Sequence, residues 1–319
     1  MRVKEPENLD IEDFIKRKVE EISSAVGNGI AISALSGGVD SSTATLLGYR
    51  ALGERLKTYF IDSGLMRENE PQKVAELFRK LGVKVEIIDA KEQFFKALKG
   101  VVDPEAKREC TTQTFYKNVF AKLIKESGAK YLLQGTILTD IEETVAGIKR
   151  QHNVFEQLGI NPKEAFGYKI IEPLKELRKD GVIKVAKALG LPEELYARIP
   201  FPGPGLAARV IGEVTPQRIE LVRKATSIVE GELAHTKAFQ YLAILHEDRV
   251  TGIKEGKRKF GYQIEVRCWE SKDARVAAPT KIKFETLEKL AKRIVTELPE
   301  IVSVTYNITP KPPSTIEAV

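Results

Sequence analysis

Residues 29–53 of the chain read GIAISALSGGVDSSTATLLGYRALG. The apolar run 29–36 predicts a buried strand, and residues 41–53 predict a helix. Between them the glycines allow a tight turn, while consecutive N–H groups and the start of the helix face an anion. The sequence therefore predicts a phosphate-binding loop, which consists of Ser36, Gly37, Gly38, Val39, Asp40, Ser41 and Ser42.

This loop differs from a Walker A loop. The Lys-Ser/Thr ending of a Walker A loop is absent, and an acid, Asp40, lies inside the loop. Because a bare carboxylate would repel phosphates, Asp40 favours the recruitment of Mg²⁺ beside them. The alternative interpretation is a simple Gly-Gly turn in which Asp and Ser side chains cap the helix.

The first half of the chain alternates strand and helix patterns. In chain order, the predictions after the first helix are strand 57–62, helix 70–81, strand 83–89, helix 107–127 and strand 130–135. This order predicts the α/β class, a parallel sheet sandwiched by helices. Ligands are expected at the carboxyl ends of its strands.

The second half has a different organisation. Residues 139–168 form a polar stretch of a length typical of lids, and a run rich in proline and glycine follows at 191–210. Later predictions are helix 215–235, strands 240–246 and 259–269, helix 283–298 and strand 302–309. We therefore predict a nucleotide-binding domain at 1–205, with a lid at about 139–168, and a smaller α+β domain at 206–319.

The composition limits the class of protein. The 319 residues include 51 basic and 45 acidic side chains, and the net charge of +6 is spread without a block of like charges. This pattern favours an ordinary charged surface over a nucleic-acid-binding tract, and it also suits anionic small substrates. No apolar run approaches the roughly 20 residues of a membrane span, and no secretory signal is visible. The expected location is the cytoplasm, with no membrane or nucleic-acid partner.

The loop at 36–42 resembles the phosphate loop of the ATP pyrophosphatase superfamily, which has the adenine nucleotide alpha-hydrolase-like fold. This resemblance implies that ATP is cleaved between its α- and β-phosphates and that the adenylate is transferred to an oxygen of an acceptor. Two further strand ends resemble nucleotide contacts of that superfamily. They are Phe60, Ile61, Asp62 and Leu65 at the end of the second strand, and Gln134, Gly135 and Thr136 at the end of a later one.

Other motifs resemble the ATP-pyrophosphatase portion of the GMP synthetase family. They are Asp103-Pro104-Glu105 with Lys107-Arg108, IKRQHN at 148–153, FPGPGLA at 201–207 and KPPSTIE at 311–317. The resemblance implies that Asp40 is catalytic and holds Mg²⁺, and that Lys149 of the lid neutralises phosphate charge. The implied acceptor-binding residues are Pro202, Gly203, Pro204, Gly205, Arg209, Lys311, Thr315, Ile316 and Glu317.

The resemblance also implies a reaction and its partners. The C2 oxygen of xanthosine monophosphate (XMP) attacks the α-phosphate of ATP and releases pyrophosphate, and ammonia then displaces AMP to give GMP. Many family members carry a glutamine amidotransferase domain with a Cys-His-Glu triad ahead of this portion. Here only ~28 residues precede the phosphate-binding strand, and Cys110 and Cys268 are isolated. The expected partners are a separate amidotransferase subunit and, through the second domain, a second copy of the chain in a homodimer.

Two alternatives remain open at the level of sequence. The second domain departs from the family pattern at residues 255–260 and 273–277 and in its Ala318-Val319 ending. A relative that adenylates another acceptor, such as a tRNA base, would fit these departures, although an RNA-binding module or catalytic cysteines would then be expected. A nucleotide-binding regulator without turnover is the second alternative, and the intact Ser36, Asp40 and Ser41 argue against it.

Overall fold

The computed structural model describes residues 9–145, 168–272 and 274–318. Within these ranges the chain forms two compact units. The first unit consists of Met1–Asp62, Glu70–Ala90 and Gln113–Arg198, and the second of Ser63–Asn69, Lys91–Thr112 and Ile199–Val319. The second unit thus includes two segments from the first half of the chain. The sequence boundary at 205/206 stays a prediction.

Nine strands are described. They are β1 (Ala31–Leu35), β2 (Leu56–Asp62), β3 (Val85–Asp89), β4 (Tyr131–Leu133), β5 (Lys169–Ile171), β6 (Gln240–Lys254), β7 (Lys257–Glu270), β8 (Ala278–Pro279) and β9 (Ile301–Tyr306). Strands β1 to β5 form a parallel sheet in the order β3-β2-β1-β4-β5. The predicted α/β class with a parallel sheet is therefore confirmed.

The α-helices of the described residues come in a similar number. They are α1 (Ile11–Val26), α2 (Val39–Leu52), α3 (Glu70–Lys80), α4 (Lys91–Leu98), α5 (Pro104–Gln113), α6 (Ala121–Ser127), α7 (Leu138–Val145), α8 (Lys179–Ala188), α9 (Glu193–Tyr196), α10 (Pro216–Leu233) and α11 (Phe284–Glu297). None of the described helices is long and apolar enough to cross a membrane.

The central strand of the parallel sheet owes its position to its composition. Ala31, Ile32 and Leu35 of β1 are almost completely buried, because a parallel sheet is covered by helices on both faces. Strand β1 pairs with β2 on one side and with β4 on the other. The order of the strands reverses between β1 and β4, so the loops that leave these two strands flank the crevice in which such sheets bind ligands.

Two predicted segments differ from the structure. The helix predicted at 107–127 begins earlier, at Pro104, and is interrupted by a π-helical segment, Thr114–Phe120. Hydrophobic periodicity does not reveal such a segment, since it adds a residue to a turn without breaking the helix. The start of the predicted lid is helical as α7, and residues 146–167 of that lid lie outside the described residues.

The second unit has an antiparallel hairpin of β6 and β7 at its centre. Strand β8 extends the sheet in an antiparallel sense, and β9 pairs with β7 in parallel. Both hairpin strands are longer than predicted, because their exposed distal ends carry little hydrophobic pattern. Near the base, Leu242, Ile244 and Trp269 pack with Ala277 and Ile316. The C-terminal motif is thus part of a hydrophobic core.

Candidate nucleotide-binding site

The loop between β1 and α2 is organised by its two serines. Ser36 Oγ lies 2.9 Å from Ser41 Oγ, and the backbone N–H of Ser36 donates to Ser41 Oγ at 3.2 Å. Gly38 occupies the N-cap position, and no side chain caps the helix there. The first turn of α2 is therefore presented to the loop as an anion-binding end of a helix.

Two glycines in this region meet steric requirements that other residues do not. Gly37 has a φ of +78°, and a Cβ on it would lie 2.8 Å from Glu70 Oε1. Gly135 follows β4, and a Cβ there would lie 2.7 Å from both the carbonyl carbon of Asp40 and the nitrogen of Ser41. The backbone after β4 thus packs directly against the start of α2. The structure thus brings the phosphate loop after β1 and the Gln134-Gly135-Thr136 segment after β4 together.

Asp40 forms an ion pair with a residue far away in sequence. The Nζ atom of Lys179, the first residue of α8, lies 3.0 Å and 2.8 Å from the two carboxylate oxygens of Asp40. Lys179 stands in the stretch KDGVIKVAKALG at 179–190, where no local signal marks it as a site residue. Only the fold reveals that the helix of this stretch begins opposite Asp40. A cation therefore lies beside the phosphate loop, although the loop itself contains none.

Arg198 supports the other end of the loop. It donates to the carbonyl oxygen of Gly37 at 3.1 Å and pairs with the buried Glu70 at 2.7 Å. Because Nη1 of its guanidinium contacts Gly37 and Nη2 contacts Glu70, Arg198 holds the turn at Gly37. This residue was also missed by sequence reasoning, because its partners lie more than a hundred positions earlier in the chain.

Three polar side-chain atoms at the start of α2 and directly after β4 are buried and have no hydrogen-bond partner among the described residues. They are Ser42 Oγ, Gln134 Oε1 and Thr136 Oγ1. Buried polar atoms in folded proteins nearly always have partners, so these atoms are available to a ligand or to water. The predicted residues at the end of β4 thus have the chemistry that a nucleotide contact requires.

The residues predicted to contact the nucleotide at the end of β2 are divided between the two units. Phe60, Ile61 and Asp62 lie in β2 and are buried, and Leu65 belongs to the second unit. The backbone oxygen of Leu65 accepts a hydrogen bond from the N–H of Leu206 at 2.7 Å. Their contact with the nucleotide stays a prediction.

The residues suggested for acceptor binding lie in the second unit. Arg209 is fully buried, and its Nε and Nη2 each lie 3.1 Å from a carboxylate oxygen of Glu317. Gln240 Nε2 donates to the same carboxylate at 2.7 Å. Arg267 Nη1 donates to the backbone oxygens of Thr315 and Ile316 at 2.8 Å and 3.3 Å. Arg209, the last residue of the helical turn that begins at Gly205, therefore links this turn to the C-terminal motif, and Arg267 of β7 holds the same motif.

The other residues predicted to bind the acceptor nucleotide mainly form turns or contact backbone oxygens. Gly205 has a φ of +63°, and a Cβ on it would lie 2.4 Å from the oxygen of Leu65, so only glycine fits. Its N–H donates to the oxygen of Pro202, which closes the Pro202-Gly203-Pro204-Gly205 turn. Lys311 Nζ donates to the oxygen of Ala274 at 2.8 Å, and Thr315 Oγ1 donates to the oxygen of Glu317. Whether these residues bind an acceptor stays a prediction.

Asp40 supplies the carboxylate of the loop that could hold Mg²⁺. Among the described residues, no group of three or more His, Cys, Asp or Glu side chains could hold a metal ion. Mg²⁺ in nucleotide sites commonly takes one or two carboxylates and completes its coordination with phosphates and water. Asp40, as a single carboxylate in the predicted phosphate loop, fits that pattern. The other predicted catalytic residue, Lys149, lies outside the described residues.

The fold and the loop together define the class of protein. A parallel sheet whose central strand leads into this loop, with buried polar atoms after the neighbouring strand, is the nucleotide-binding unit of an ATP pyrophosphatase. Residues 8–204 match the protein family described as NAD synthase, which has such a unit. Residues 228–318 match the family described as GMP synthase C terminal domain.

Relatives that match the whole chain narrow this class. The B subunit of GMP synthase (glutamine-hydrolyzing) from Archaeoglobus fulgidus is 50% identical over 309 residues, which cover 97% of this chain and 99% of the relative. The protein of the same name from Thermococcus kodakarensis is 47% identical over 96% of this chain and 99% of the relative. GMP synthase (glutamine-hydrolyzing) of Pyrobaculum aerophilum is 48% identical over 96% of this chain but only 61% of that longer protein. The chain belongs to the family of GMP synthase B subunits.

Proposed function

We propose that the chain is the synthetase subunit of a two-subunit GMP synthase. It activates XMP with ATP, releases pyrophosphate, and then aminates the adenylated XMP to give GMP and AMP. The observation that carries this proposal is the match to the B subunit of GMP synthase along the whole length of both chains. The tRNA-modifying alternative and the regulator without turnover are not favoured, because the similarity includes the second domain as well as the phosphate loop.

In this proposal the loop at 36–42 binds the phosphates that become pyrophosphate. The Ser36 and Ser41 hydroxyls and the first turn of α2 donate hydrogen bonds to these phosphates, and Lys179 places its ammonium beside them. Such a site accelerates phosphoryl and adenylyl transfer mainly by positioning and by charge stabilisation. The unpartnered oxygens of Gln134 and Thr136 are proposed to contact the nucleotide of ATP.

Asp40 is the residue proposed to hold Mg²⁺. When bound, Mg²⁺ would neutralise negative charge on the phosphates. The two carboxylate oxygens of Asp40 lie 3.0 Å and 2.8 Å from Lys179 Nζ, so Mg²⁺ would share the carboxylate with this ammonium. Lys149 is proposed to approach the phosphates from the lid.

The second unit is proposed to bind XMP. The helical turn Gly205–Arg209, which follows the turn at 202–205, is joined to the C-terminal motif by the Arg209–Glu317 pair. We propose that Lys311, Thr315 and the N–H of Gly203 in the turn contact the monophosphate and the base. A rigid frame suits this purpose, since the C2 oxygen must be held in line with the α-phosphate.

The ammonia is proposed to come from a separate amidotransferase subunit. The longer relative from Pyrobaculum aerophilum, of which this chain spans 61%, is consistent with a fusion of the two activities. A homodimer through the second domain is also proposed. Sedimentation velocity would test it, with an expected mass of twice 35.6 kDa.

The proposed function is tested by measuring pyrophosphate release and GMP formation by the purified chain with ATP, Mg²⁺ and ammonium. The release is expected to depend on XMP, and Asp40→Ala is expected to abolish it. Lys184→Ala, a change at an exposed position of α8, serves as the matched control. Release of pyrophosphate without dependence on XMP would redirect the proposal to another acceptor.

A further inference from the structure

A buried lysine in the second unit has no role in the function proposed above. Lys107 of α5 is completely buried, and its Nζ donates to the backbone oxygen of Val210 at 2.7 Å. The helix that carries it is fixed at its start by Asp103, whose carboxylate accepts from the N–H of Ala106 at 2.8 Å. The ammonium therefore occupies a defined position 103 residues away in sequence from its acceptor.

The Val210 carbonyl, which accepts the hydrogen bond from Lys107, adjoins the residues proposed to bind XMP. Val210 directly follows Arg209, the residue that holds the C-terminal Glu317. A second cation acts on the next part of the same segment, since Arg218 donates to the backbone oxygens of Ile211 and Glu213, both at 2.6 Å. The carbonyls after the PGPGL turn are thus held by buried positive charges.

The burial of the Lys107 ammonium costs desolvation free energy. Burial and, to a smaller extent, the positive charge of Arg218 lower the pKa of Lys107 to about 8, although Glu247 and Asp103 act in the opposite direction. Among the described residues, no carboxylate lies within ion-pair distance of the Lys107 ammonium. An apolar side chain of similar length would fill the same space without a desolvation cost. A long-range charged contact retained at such a cost indicates that the position of the Val210 carbonyl matters.

We propose that Lys107 is a positioning residue for the acceptor nucleotide. By fixing the Val210 carbonyl, it orients Arg209 and, through Glu317, the C-terminal motif that receives XMP. Lys107 itself touches no reacting atom. This inference rests on the proposed function, because it assigns the arginine-linked frame to XMP. All the groups in the chain of contacts belong to the second unit, so the effect falls on XMP and leaves the affinity for ATP unchanged.

The test compares Lys107→Met, which keeps the length of the side chain, with Lys107→Arg, which keeps its charge. Lys99→Met is the matched control, since Lys99 is an exposed lysine of the same unit. The measured quantities are the KM values for XMP and for ATP with ammonium as the nitrogen source, together with Tm. Lys107→Met is expected to raise the KM for XMP roughly tenfold or more while the KM for ATP stays within about twofold. Lys107→Arg is expected to restore part of the loss.

Other outcomes would overturn the inference. An unchanged KM for XMP in Lys107→Met, or equal rises in both KM values with a lowered Tm, would reduce Lys107 to a general structural residue. If Lys107→Met fails to fold, Lys107→Gln, which keeps a shorter donor, decides by the same ratio of KM values. Absence of GMP formation by the wild-type chain would instead refute the proposed function, so the two failures are distinguishable.

Discussion

Among the single residues, Lys179 places an ammonium beside a loop that itself contains no lysine. Its ammonium lies 2.8 Å from Asp40, and the two side chains are 51% and 29% exposed. An ion pair with this exposure contributes little to stability. Its value lies in keeping a positive charge where phosphates are expected to bind.

Replacement of Lys179 by Met is therefore expected to affect catalysis and not folding. Pyrophosphate release should fall about 100-fold, because the phosphates lose a nearby cation. The Tm should stay within about 2 °C of the wild-type value. Lys184→Met on the same helix is the control, and similar rates for the two variants would contradict a role for Lys179 at the phosphates.

Glu265 of β7 predicts a dependence of stability on pH. Burial by itself would raise its pKa, but hydrogen bonds from His246, Asn307 and Arg267 and the charge of Arg267 lower it to about 2. Since the pKa in the folded state is below the ordinary value, the stabilisation is fully present above about pH 4.5. It is lost as the pH falls toward the folded pKa.

The measurement is the free energy of unfolding in urea for the wild type and for Glu265→Gln. The variant should be less stable at pH 7, and its deficit should shrink by about 2 kcal/mol between pH 7 and pH 3. A deficit that is independent of pH would show that the hydrogen bonds do not require the carboxylate charge.

At the scale of secondary-structure elements, the backbone after β4 packs directly against the start of α2. A Cβ at Gly135 would meet the backbone of Asp40 and Ser41 at 2.7 Å, a distance that backbone atoms cannot relieve by a side-chain movement. The start of α2 would have to shift away from β4, and the phosphate loop would move with it.

Gly135→Ala is accordingly expected to lower the free energy of unfolding by about 1–3 kcal/mol and to raise the KM for ATP roughly tenfold. The matched variant is Gly231→Ala in α10, where a Cβ would have no neighbour within 4 Å. That change should leave the KM unchanged and stabilise the protein by up to about 1 kcal/mol. Equal behaviour of the two variants would argue against a tight junction.

The elements also show which features the sequence could predict. The strand, loop and helix around 29–53 were predicted within about two residues, because an apolar run, two glycines and a helical pattern are all local signals. The Lys179–Asp40 pair joins residues 139 positions apart, and the Arg209–Glu317 pair joins residues 108 positions apart. Neither pairing has a local signal, so the cation at the loop and the frame of the second unit became visible only in the fold.

At the scale of the whole molecule, the environments of the two cysteines bear on the source of the amino nitrogen. Neither thiol has the environment of an amidotransferase nucleophile. Cys110 Sγ donates to the backbone oxygen of Ala97 at 3.2 Å, and burial raises the pKa of the Cys268 thiol. A catalytic cysteine requires a lowered pKa and an adjacent base. Within the described residues, no histidine forms a hydrogen bond or ion pair with either thiol.

The purified chain is therefore expected to form GMP from ammonium and not from glutamine. The double variant Cys110→Ala/Cys268→Ala should keep its rate with ammonium within about twofold, because neither thiol takes part in the transfer. Addition of the amidotransferase subunit should make glutamine a substrate for the wild type and for the double variant alike. GMP formation from glutamine by the chain alone, lost in the double variant, would instead place an amidotransferase nucleophile within this chain.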